Sequence, residues 1–184
     1  MLTIIYICVN FKAMESLLIN LSCGVLSGIV ASIVFLIIIS NLKPKIIISP
    51  HIVFKDEEYH FKFVNKTKAA LFDVRVEVMF VTPFGDKNGK NLRGQQLELV
   101  DGTLFHIPKN QKDNKDRHNL FATRCRTREK LKEEWVGESS YIQLTVIARH
   151  SFSGINKVFT HDFPSVDCIT STKNFASGNS LDVL

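Results

Sequence analysis

A stretch of 24 residues, 16–39, contains no charged side chain and no proline, and it constrains the folding of this 184-residue chain more than any other feature. As a helix rising about 1.5 Å per residue it is roughly 36 Å long, enough to cross a hydrocarbon core about 30 Å thick with some tilt. The alternative is a cleavable signal peptide, which has a shorter apolar region followed by small residues. The stretch is too long for that and ends in bulky residues at 33–39, so it predicts a retained transmembrane helix.

The composition on either side of the helix divides the chain further. The predicted segments are an N-terminal extension (1–15), the transmembrane helix (16–40), a linker (41–45), a β-sandwich domain (46–164) and a flexible tail (165–184). The alternatives for the extension are upstream sequence outside the working protein, a disordered stretch and an interfacial segment, and Met14 is the favoured start. Pro44 restricts its predecessor and stiffens the linker. The tail is rich in Ser, Thr, Asn and Gly, a composition typical of flexible termini.

Basic residues near the helix ends predict the topology. Lys43 and Lys45 follow the helix closely and Lys55 lies a little further on, whereas only Lys12 precedes it. Positive residues close to a span stay on the cytoplasmic side. We therefore expect a single-pass protein of the cell inner (plasma) membrane, with its N-terminus outside, its C-terminal domain in the cytoplasm, and Lys43 and Lys45 at the membrane interface.

Small and polar residues recur every four positions along the helix, at Asn20, Gly24, Gly28 and Ser32. A Gly-x-x-x-Gly pair lets a second helix approach closely, which predicts a homo-oligomer formed through this face. The alternative is that glycine and serine are simply frequent in membrane helices. Asn20 favours association, because an amide in hydrocarbon is costly without a partner.

Beyond Pro44 the hydrophobic pattern changes to the alternation typical of β-strands. It is clearest over residues 71–81, where Val74, Val76 and Val78 face one way. The turn-rich residues 82–94 predict a loop. The other predictions are strands within 45–54, 59–64, 96–100, 103–107 and 119–125, a helix at 127–136 capped by Thr127, and a hairpin of 141–150 with 157–163. About eight short strands and one short helix predict an all-β domain, an antiparallel sandwich or small barrel, after one N-terminal transmembrane helix.

Two motifs in this region resemble a known family. They are Tyr59-His60-Phe61-Lys62-Phe63-Val64-Asn65-Lys66 followed by Phe72-Asp73-Val74-Arg75-Val76, and Ala148-Arg149-His150-Ser151-Phe152 with Ile155 and His161-Asp162-Phe163. They are similar to the strand, asparagine turn and strand, and to the late hairpin, of the cytoplasmic domain of inward-rectifier potassium channels. The resemblance implies an immunoglobulin-like antiparallel β-sandwich beneath the inner face of a membrane. It implies no channel, because the second membrane helix, the pore helix and the Thr-Val-Gly-Tyr-Gly filter are absent.

The whole chain, one helix followed by this domain, also resembles small bacterial single-pass membrane proteins of unknown function. A shared fold does not by itself establish a shared function.

The sequence predicts no catalytic residue, no metal site and no cofactor. It contains no nucleotide-binding glycine loop, nucleophile elbow or His-Glu-x-x-His motif, and its six histidines are scattered. Cys125 stands between Arg124 and Arg126, which would lower a thiol pKa if all three were close. Because neighbours on a strand point to opposite faces, Cys125 is instead predicted to be a core residue.

The basic charge of the chain is concentrated in one segment. Residues 109–132 hold nine basic and three acidic residues, a net charge of +6, whereas the whole chain carries +5. Alternation places Arg124 and Arg126, with Arg128 and Lys130 following, where they could bind phosphate or carboxylate. The alternative is a solvated sheet edge whose charges discourage aggregation.

Three functions follow from these features. The first is a membrane-anchored interaction or assembly module that oligomerises through its helix and binds a protein partner, without catalysis. The second is a membrane-tethered sensor of an anionic ligand, a lipid headgroup or a nucleotide, acting through residues 109–132 or through Lys43 and Lys45, in the manner of a stress or antiphage effector. The third, an enzyme, lacks any convergent acid, base or nucleophile. No nucleic-acid partner is predicted.

Overall fold

The computed structural model describes residues 2–85, 91–110, 122–135 and 139–184, with side chains described from residue 17 onward. The chain divides into two compact units whose boundary falls between Leu42 and Lys43. The first unit is a helix, and the second contains all the strands.

Helix α1 (Leu2–Asn41) includes a 25-residue segment, Leu17–Asn41, that is long and apolar enough to cross a membrane. A signal sequence near an N-terminus passes the same test of length and composition. The backbone is already helical at Leu2. The N-terminal extension is therefore part of the helix, which contradicts the alternative of a disordered stretch.

Nine strands occur in the described part of the second unit and form two sheets. They are β1 (Ile46–Lys55), β2 (Glu58–Asn65), β3 (Leu71–Phe84), β4 (Asn91–Leu97), β5 (Thr103–Ile107), β6 (Ala122–Thr127), β7 (Tyr141–His150), β8 (Asn156–Phe163) and β9 (Ile169–Thr170). Sheet A has the order β6-β2-β1-β9, and sheet B has the order β4-β3-β7-β8 with β5 also paired to β3. The pairing is antiparallel except between β1 and β9. The predicted all-β fold with one N-terminal apolar helix and one short helix is confirmed.

The core lies between the two sheets. Alternate residues of β3, among them Val74 and Val78, are fully buried, as the alternation predicts. From sheet A, Phe61 and Phe63 enter the same core, and the ring of Phe61 lies 5.7 Å from that of Phe163. Burying apolar side chains of this size contributes about 1.5–3 kcal/mol each, so these aromatic residues account for much of the domain's stability.

The prediction of a loop over residues 82–94 is wrong in its described part. β3 continues to Phe84, β4 begins at Asn91, and Val81 pairs with Gly94 in an antiparallel ladder. Gly94 lies beneath the methyl end of Met79, where a β-carbon would collide with it. Gly94 is therefore a strand residue that lets the Met79 side chain approach the backbone closely, and it does not form a turn. Residues 86–90 lie outside the described residues.

The predicted helix over 127–136 is a single turn, α2 (Leu131–Glu134). Thr127 is the last residue of β6, and its hydroxyl donates to the carbonyl oxygen of Glu98 at 2.7 Å. Leu131 is fully buried and anchors the turn, and the indole of Trp135 donates to the carbonyl oxygen of Ser140 at 3.1 Å. Tertiary contacts on both sides of the turn therefore end the helix early.

The prediction of a flexible tail over residues 165–184 is also wrong. After a 3-10 turn (Val166–Cys168) and β9, residues 174–184, here called the C-terminal lobe, fold back on themselves. The backbones of Asn174 and Leu184 exchange two hydrogen bonds of 2.8 Å, and Phe175 and Ala176 are buried. The folded unit therefore extends from Lys43 to Leu184.

Candidate functional site

Strand β6 carries the arginines predicted to bind an anion. Arg124 and Arg126 project from the outer face of sheet A, and Cys125 between them is fully buried in the core. In the antiparallel register Arg126 lies opposite His60 of β2, and Arg124 lies opposite Lys62. Four groups that can carry positive charge therefore stand side by side on one sheet surface, and opposing charges or burial must balance their repulsion.

Glu58, the first residue of β2, binds two of the arginines. Its Oε2 accepts from Nη1 of Arg126 at 3.0 Å, and its Oε1 accepts from Nε of Arg128 at 2.8 Å. Only 8% of Glu58 is exposed. The hydrogen bond from Arg128 is the largest influence on the pKa of Glu58, and together with Arg126 it lowers that pKa although burial opposes it. No motif in the sequence predicts this acceptor, and the only signal for it is the acidic run at residues 56–58.

The remaining bonds of these cations are also intramolecular. Nε of Arg126 donates to a carboxylate oxygen of Asp101 at 3.3 Å, and the ammonium of Lys130 pairs with Glu133 at 3.1 Å. Of the four predicted anion-site residues, Arg126, Arg128 and Lys130 therefore each have an acidic partner on this chain.

An open cleft of about 750 Å³ lies where the β1–β2 hairpin faces the segment between β6 and α2; it is called here the hairpin cleft. Arg128 and Lys130 line one wall. Phe54 and Tyr59 lie on the opposite wall with ring centroids 4.6 Å apart, and the ammonium of Lys132 is 5.8 Å from the centre of the Phe54 ring. The remaining lining residues are Asp56, Glu57, Glu58, Glu129 and Glu133. The cleft thus combines an aromatic wall with charges of both signs.

The tip of the hairpin, between β1 and β2, has an uncommon backbone. Asp56 and Glu57 are both in the left-handed region, with φ of 52° and 62°. Two-residue hairpins favour this conformation because it matches the strand twist, but glycine or asparagine normally adopts it. Glu57 therefore holds an acidic side chain at the rim of the hairpin cleft at the cost of a strained backbone.

The C-terminal lobe covers the other half of the outer face of sheet A. The ammonium of Lys62 donates to the carbonyl oxygens of Ala176 at 2.6 Å and Ser180 at 2.8 Å, and it lies 5.9 Å from the centre of the Phe175 ring. Lys62 is 1% exposed. Burial, with smaller effects from Arg124 and Lys66, lowers the pKa of Lys62 to about 8.

Arg124 also contacts this lobe, but it is exposed and does not line the hairpin cleft. Its guanidinium donates to the carbonyl oxygen of Phe175 at 3.4 Å and lies 5.8 Å from the centre of that ring. Leu181 packs against Val64 and Ala122 at the other end of the lobe. Of the four predicted site residues, Arg128 and Lys130 line the hairpin cleft, Arg126 lies beside it on Glu58, and Arg124 contacts the C-terminal lobe. Part of the basic segment, residues 111–121, lies outside the described residues.

The predicted interface and helix residues stand at accessible positions. Lys43 and Lys45 are exposed at the start of the second unit. A β-carbon added at Gly24 or at Gly28 would meet no atom within 4 Å, and the hydroxyl of Ser32 donates to the carbonyl oxygen of Gly28 at 2.8 Å. Asn20 is exposed on the same helix.

The nucleophilic and metal-ligating side chains do not converge. Burial raises the pKa of the Cys125 thiol to about 12, so it stays protonated at neutral pH. Burial also lowers the pKa values of His60, His150 and His161, which favours their neutral forms. Over residues 2–85, 91–110, 122–135 and 139–184, no three His, Cys, Asp or Glu side chains come together as a metal site.

Comparison with known proteins yields likenesses to solved structures only. No family model and no curated protein matches the chain. Among the solved structures that it resembles is the curli protein CsgC of E. coli, with 12% sequence identity over 67% of this chain and all of that chain, and a TM-score of 0.28. A likeness at that TM-score carries no argument about fold or function.

Proposed function

We propose that this protein is a membrane-anchored interaction and assembly module without catalytic activity. Its helix crosses the inner membrane of a bacterial cell once, with the N-terminus outside and the C-terminal domain in the cytoplasm, and its partner is another protein bound at the hairpin cleft. The observation that carries this proposal is the pairing of Arg126 and Arg128 with the buried carboxylate of Glu58. The pairing leaves a cleft of mixed charge with an aromatic wall.

Such a cleft suits a protein surface better than a small anion. Protein interfaces combine aromatic anchors with a polar rim, and their strongest contacts often come from aromatic residues and arginine. Half-buried Phe54 supplies the aromatic contact with Tyr59 packed against it in the core, and Asp56, Lys130 and Glu133 supply a rim with both signs of charge. A peptide that carries an apolar side chain flanked by charges would match this arrangement.

The alternative function is a sensor of an anionic lipid headgroup or nucleotide through residues 109–132. In this function a ligand would compete with Glu58 for Arg126 and Arg128, and with the C-terminal lobe for Arg124. A Glu58→Gln variant removes the competing carboxylate and should bind inorganic phosphate or ATP at least tenfold more tightly if the sensor function is correct. Equal, negligible binding by both proteins would favour the interaction module.

The strand order supports an immunoglobulin-like assignment of the sandwich. β1, β2 and β6 belong to one sheet, whereas β3, β4, β7 and β8 belong to the other. Immunoglobulin-type domains divide their strands between two sheets in a closely similar way. The same order supports the proposed relationship to the cytoplasmic domain of inward-rectifier channels. The motif at residues 59–66 of this chain resembles a strand of that domain that ends in an asparagine turn. Here Asn65 donates to the carbonyl oxygens of Ala69 and Pro108.

The proposed self-association depends on the small-residue face of α1. The open space beside Gly24 and Gly28 would let a second helix approach closely. A Gly24→Ile, Gly28→Ile variant should therefore lose cross-linked dimers in membranes, whereas Val25→Leu with Ile29→Leu should retain them. Equal cross-linking of the two variants would refute association through this face.

The protein partner can be tested with a photo-crosslinking amino acid in the full chain in its native membrane. At position 132, on the rim of the hairpin cleft, we expect a discrete protein adduct, and at position 160, on the outer face of sheet B, we expect none. Phe54→Ser removes the half-buried ring of the aromatic wall and should reduce the adduct at least fivefold. Adducts of the same size and yield at both positions, or none at position 132, would contradict the cleft as the binding surface.

A further inference from the structure

The loops at one end of the sandwich are tied together by backbone hydrogen bonds around the point where the chain leaves α1. The amide of Lys45 donates to the hydroxyl of Thr67 at 2.8 Å, and the amide of Lys66 donates to the carbonyl oxygen of Lys45 at 2.7 Å. The carbonyl oxygen of Thr67 accepts from the amide of Asn110 at 3.1 Å. The start of β1, the β2–β3 loop and the residues after β5 therefore form one continuous surface.

The β7–β8 loop belongs to the same surface. The side-chain amide of Asn65 donates to the carbonyl oxygens of Ala69 at 3.2 Å and Pro108 at 2.8 Å, and the amide of Ser151 donates to the carbonyl oxygen of Ala70 at 3.2 Å. These contacts define what is called here the proximal end of the domain. It comprises residues 43–45, 65–70, 108–110 and 150–155.

The proximal end is strongly basic. Its exposed or half-exposed lysines are Lys43, Lys45, Lys66, Lys68 and Lys109. The carboxylate of Asp73, near this end on β3, already forms an ion pair with Arg149. The opposite end of the domain instead carries the acidic hairpin tip and the ion pairs of the hairpin cleft. The proximal end therefore carries an excess of positive charge, whereas cations at the hairpin cleft are paired with carboxylates.

An aromatic side chain projects from this basic surface. Phe152 is 82% exposed at the tip of the β7–β8 loop. The loop is ordered beneath it, because Nδ1 of His150 accepts from the amides of Phe152 and Ser153, each at 3.3 Å, and Gly154 closes the turn with φ of 68°. An exposed ring held among lysines is typical of surfaces that contact the headgroup region of a bilayer.

The chain connection between α1 and the proximal end is short. Helix α1 ends at Asn41 and β1 begins at Ile46, so residues 42–45 join them. Four residues reach at most about 14 Å when fully extended. The surface potential of anionic lipids acts over a Debye length of about 8 Å at physiological ionic strength, and the linker is short enough to let the proximal end approach within that distance.

From these observations we infer that the proximal end docks on the surface of the same anionic bilayer that holds α1. Its lysines lie against lipid phosphates, and the ring of Phe152 enters the headgroup interface. This inference rests on the proposed function only in requiring that α1 spans the membrane.

The test places a fluorophore at the docking surface. The full chain with Phe152→Trp is incorporated into nanodiscs made with 30% anionic lipid or with zwitterionic lipid only, each with and without brominated acyl chains. In anionic discs we expect bromine to quench about half of the emission added by the new tryptophan, with a shift to shorter wavelength. The wild-type chain is the matched control, because its single tryptophan, Trp135, lies beside α2 at the other end of the domain.

Charge variants in the Phe152→Trp chain separate docking from chance proximity. Neutralising Lys66, Lys68 and Lys109 to glutamine should reduce the quenching at least threefold. The matched control neutralises Lys55, Lys130 and Lys132, three lysines near the hairpin cleft, and should leave the quenching unchanged. Equal effects of the two triple variants, or quenching of Phe152→Trp no greater than that of the wild type, would overturn the inference.

The experiment distinguishes an error in the inferred docking from an error in the proposed membrane span. A chain that elutes with the nanodiscs after an alkaline carbonate wash, yet shows no quenching at position 152, refutes docking and leaves the span intact. A chain that separates from the discs refutes both.

Discussion

The ammonium of Lys62 lies 2.6 Å from the carbonyl oxygen of Ala176, which follows it by 114 residues in the chain. With the carbonyl oxygen of Ser180 as its second acceptor, this buried cation is solvated by the backbone of the C-terminal lobe and not by a carboxylate. Burying an ion without a counter-ion is costly unless hydrogen bonds replace its water. The lobe and the lysine therefore depend on each other, and two predictions concern this pair.

Replacing Lys62 with methionine should loosen the C-terminal lobe. The substitution leaves two carbonyl oxygens without their donor, and hydrogen bonds to charged groups contribute about 1.5–3 kcal/mol each before the desolvation of the ion is subtracted. We expect a net weakening of about 1.5 kcal/mol, seen as roughly tenfold faster hydrogen exchange at the amides of Ala176 and Leu184. Lys68→Met, at an exposed position, is the control. Unchanged exchange in Lys62→Met would show that apolar contacts alone hold the lobe.

The burial of Lys62 should also make stability depend on alkaline pH. Its pKa is about 8 in the folded protein and 10.5 ordinarily, so between these values the unfolded chain binds the proton more strongly. The free energy of unfolding should therefore rise as the pH increases from 8 towards 10.5. Urea unfolding at pH 7.5 and 9.5 measures this rise, which Lys62→Met should lack. A rise of the same size in both proteins would exclude Lys62 as its origin.

Glu58→Gln should destabilise the domain and change its response to acid. The carboxylate accepts from Arg126 and Arg128, and these bonds lower its pKa below the ordinary value of 4.5. Its contribution is present above pH 4.5 and is lost as the pH falls through the lowered value. The variant should unfold at a lower temperature at pH 7 and approach the wild type near pH 3. Glu57→Gln, at the exposed hairpin tip, should match the wild type at both pH values.

Glu57→Gly should stabilise the domain by about 1 kcal/mol, because glycine adopts the left-handed conformation without a clash of its β-carbon. Glu57→Ala retains the β-carbon and should stay within about 0.5 kcal/mol of the wild type. Urea unfolding at pH 7 compares the three proteins. If alanine stabilises as much as glycine, the effect comes from removing the charge and not from the backbone.

Acid should destabilise the turn that holds Phe152. Nδ1 of His150 accepts two backbone hydrogen bonds, which requires the neutral ring, and burial lowers the pKa of His150 below 6.5. The stabilising effect is complete above pH 6.5 and is lost as the pH falls through the lowered value. His150→Asn offers an oxygen acceptor that does not titrate, so it should show a smaller loss of unfolding free energy between pH 7.5 and 5.5. An equal loss would assign the acid sensitivity to other histidines.

Local patterns in the sequence predicted the parts of the fold that depend on neighbouring residues. The alternation over residues 71–81 placed Val74 and Val78 in the core, and the turn at 151–154 predicted the hairpin of β7 and β8. The loop predicted over 82–94 failed because Gly94 and Pro83, which are common in turns, are also tolerated in strands at close approaches and edges. Composition alone cannot distinguish these two uses.

For the candidate site, strand alternation correctly placed Arg124 and Arg126 on one face and Cys125 on the other. It could not show that Glu58, on a neighbouring strand, would bind Arg126 and Arg128, because that contact depends on the pairing register of β2 with β6. An ion pair between residues about seventy positions apart leaves no periodic trace in the sequence.

The sequence by itself determined that one apolar helix precedes an all-β domain, because helix length and strand alternation are local properties of the chain. Only the tertiary structure decided that the polar residues 174–184 fold over sheet A, since Lys62, Arg124 and Val64 supply their binding partners from distant strands. A segment rich in Ser, Asn and Gly lacks the apolar residues to fold alone. It becomes ordered here because its backbone carbonyl oxygens accept hydrogen bonds from cations that the sheet has already brought together.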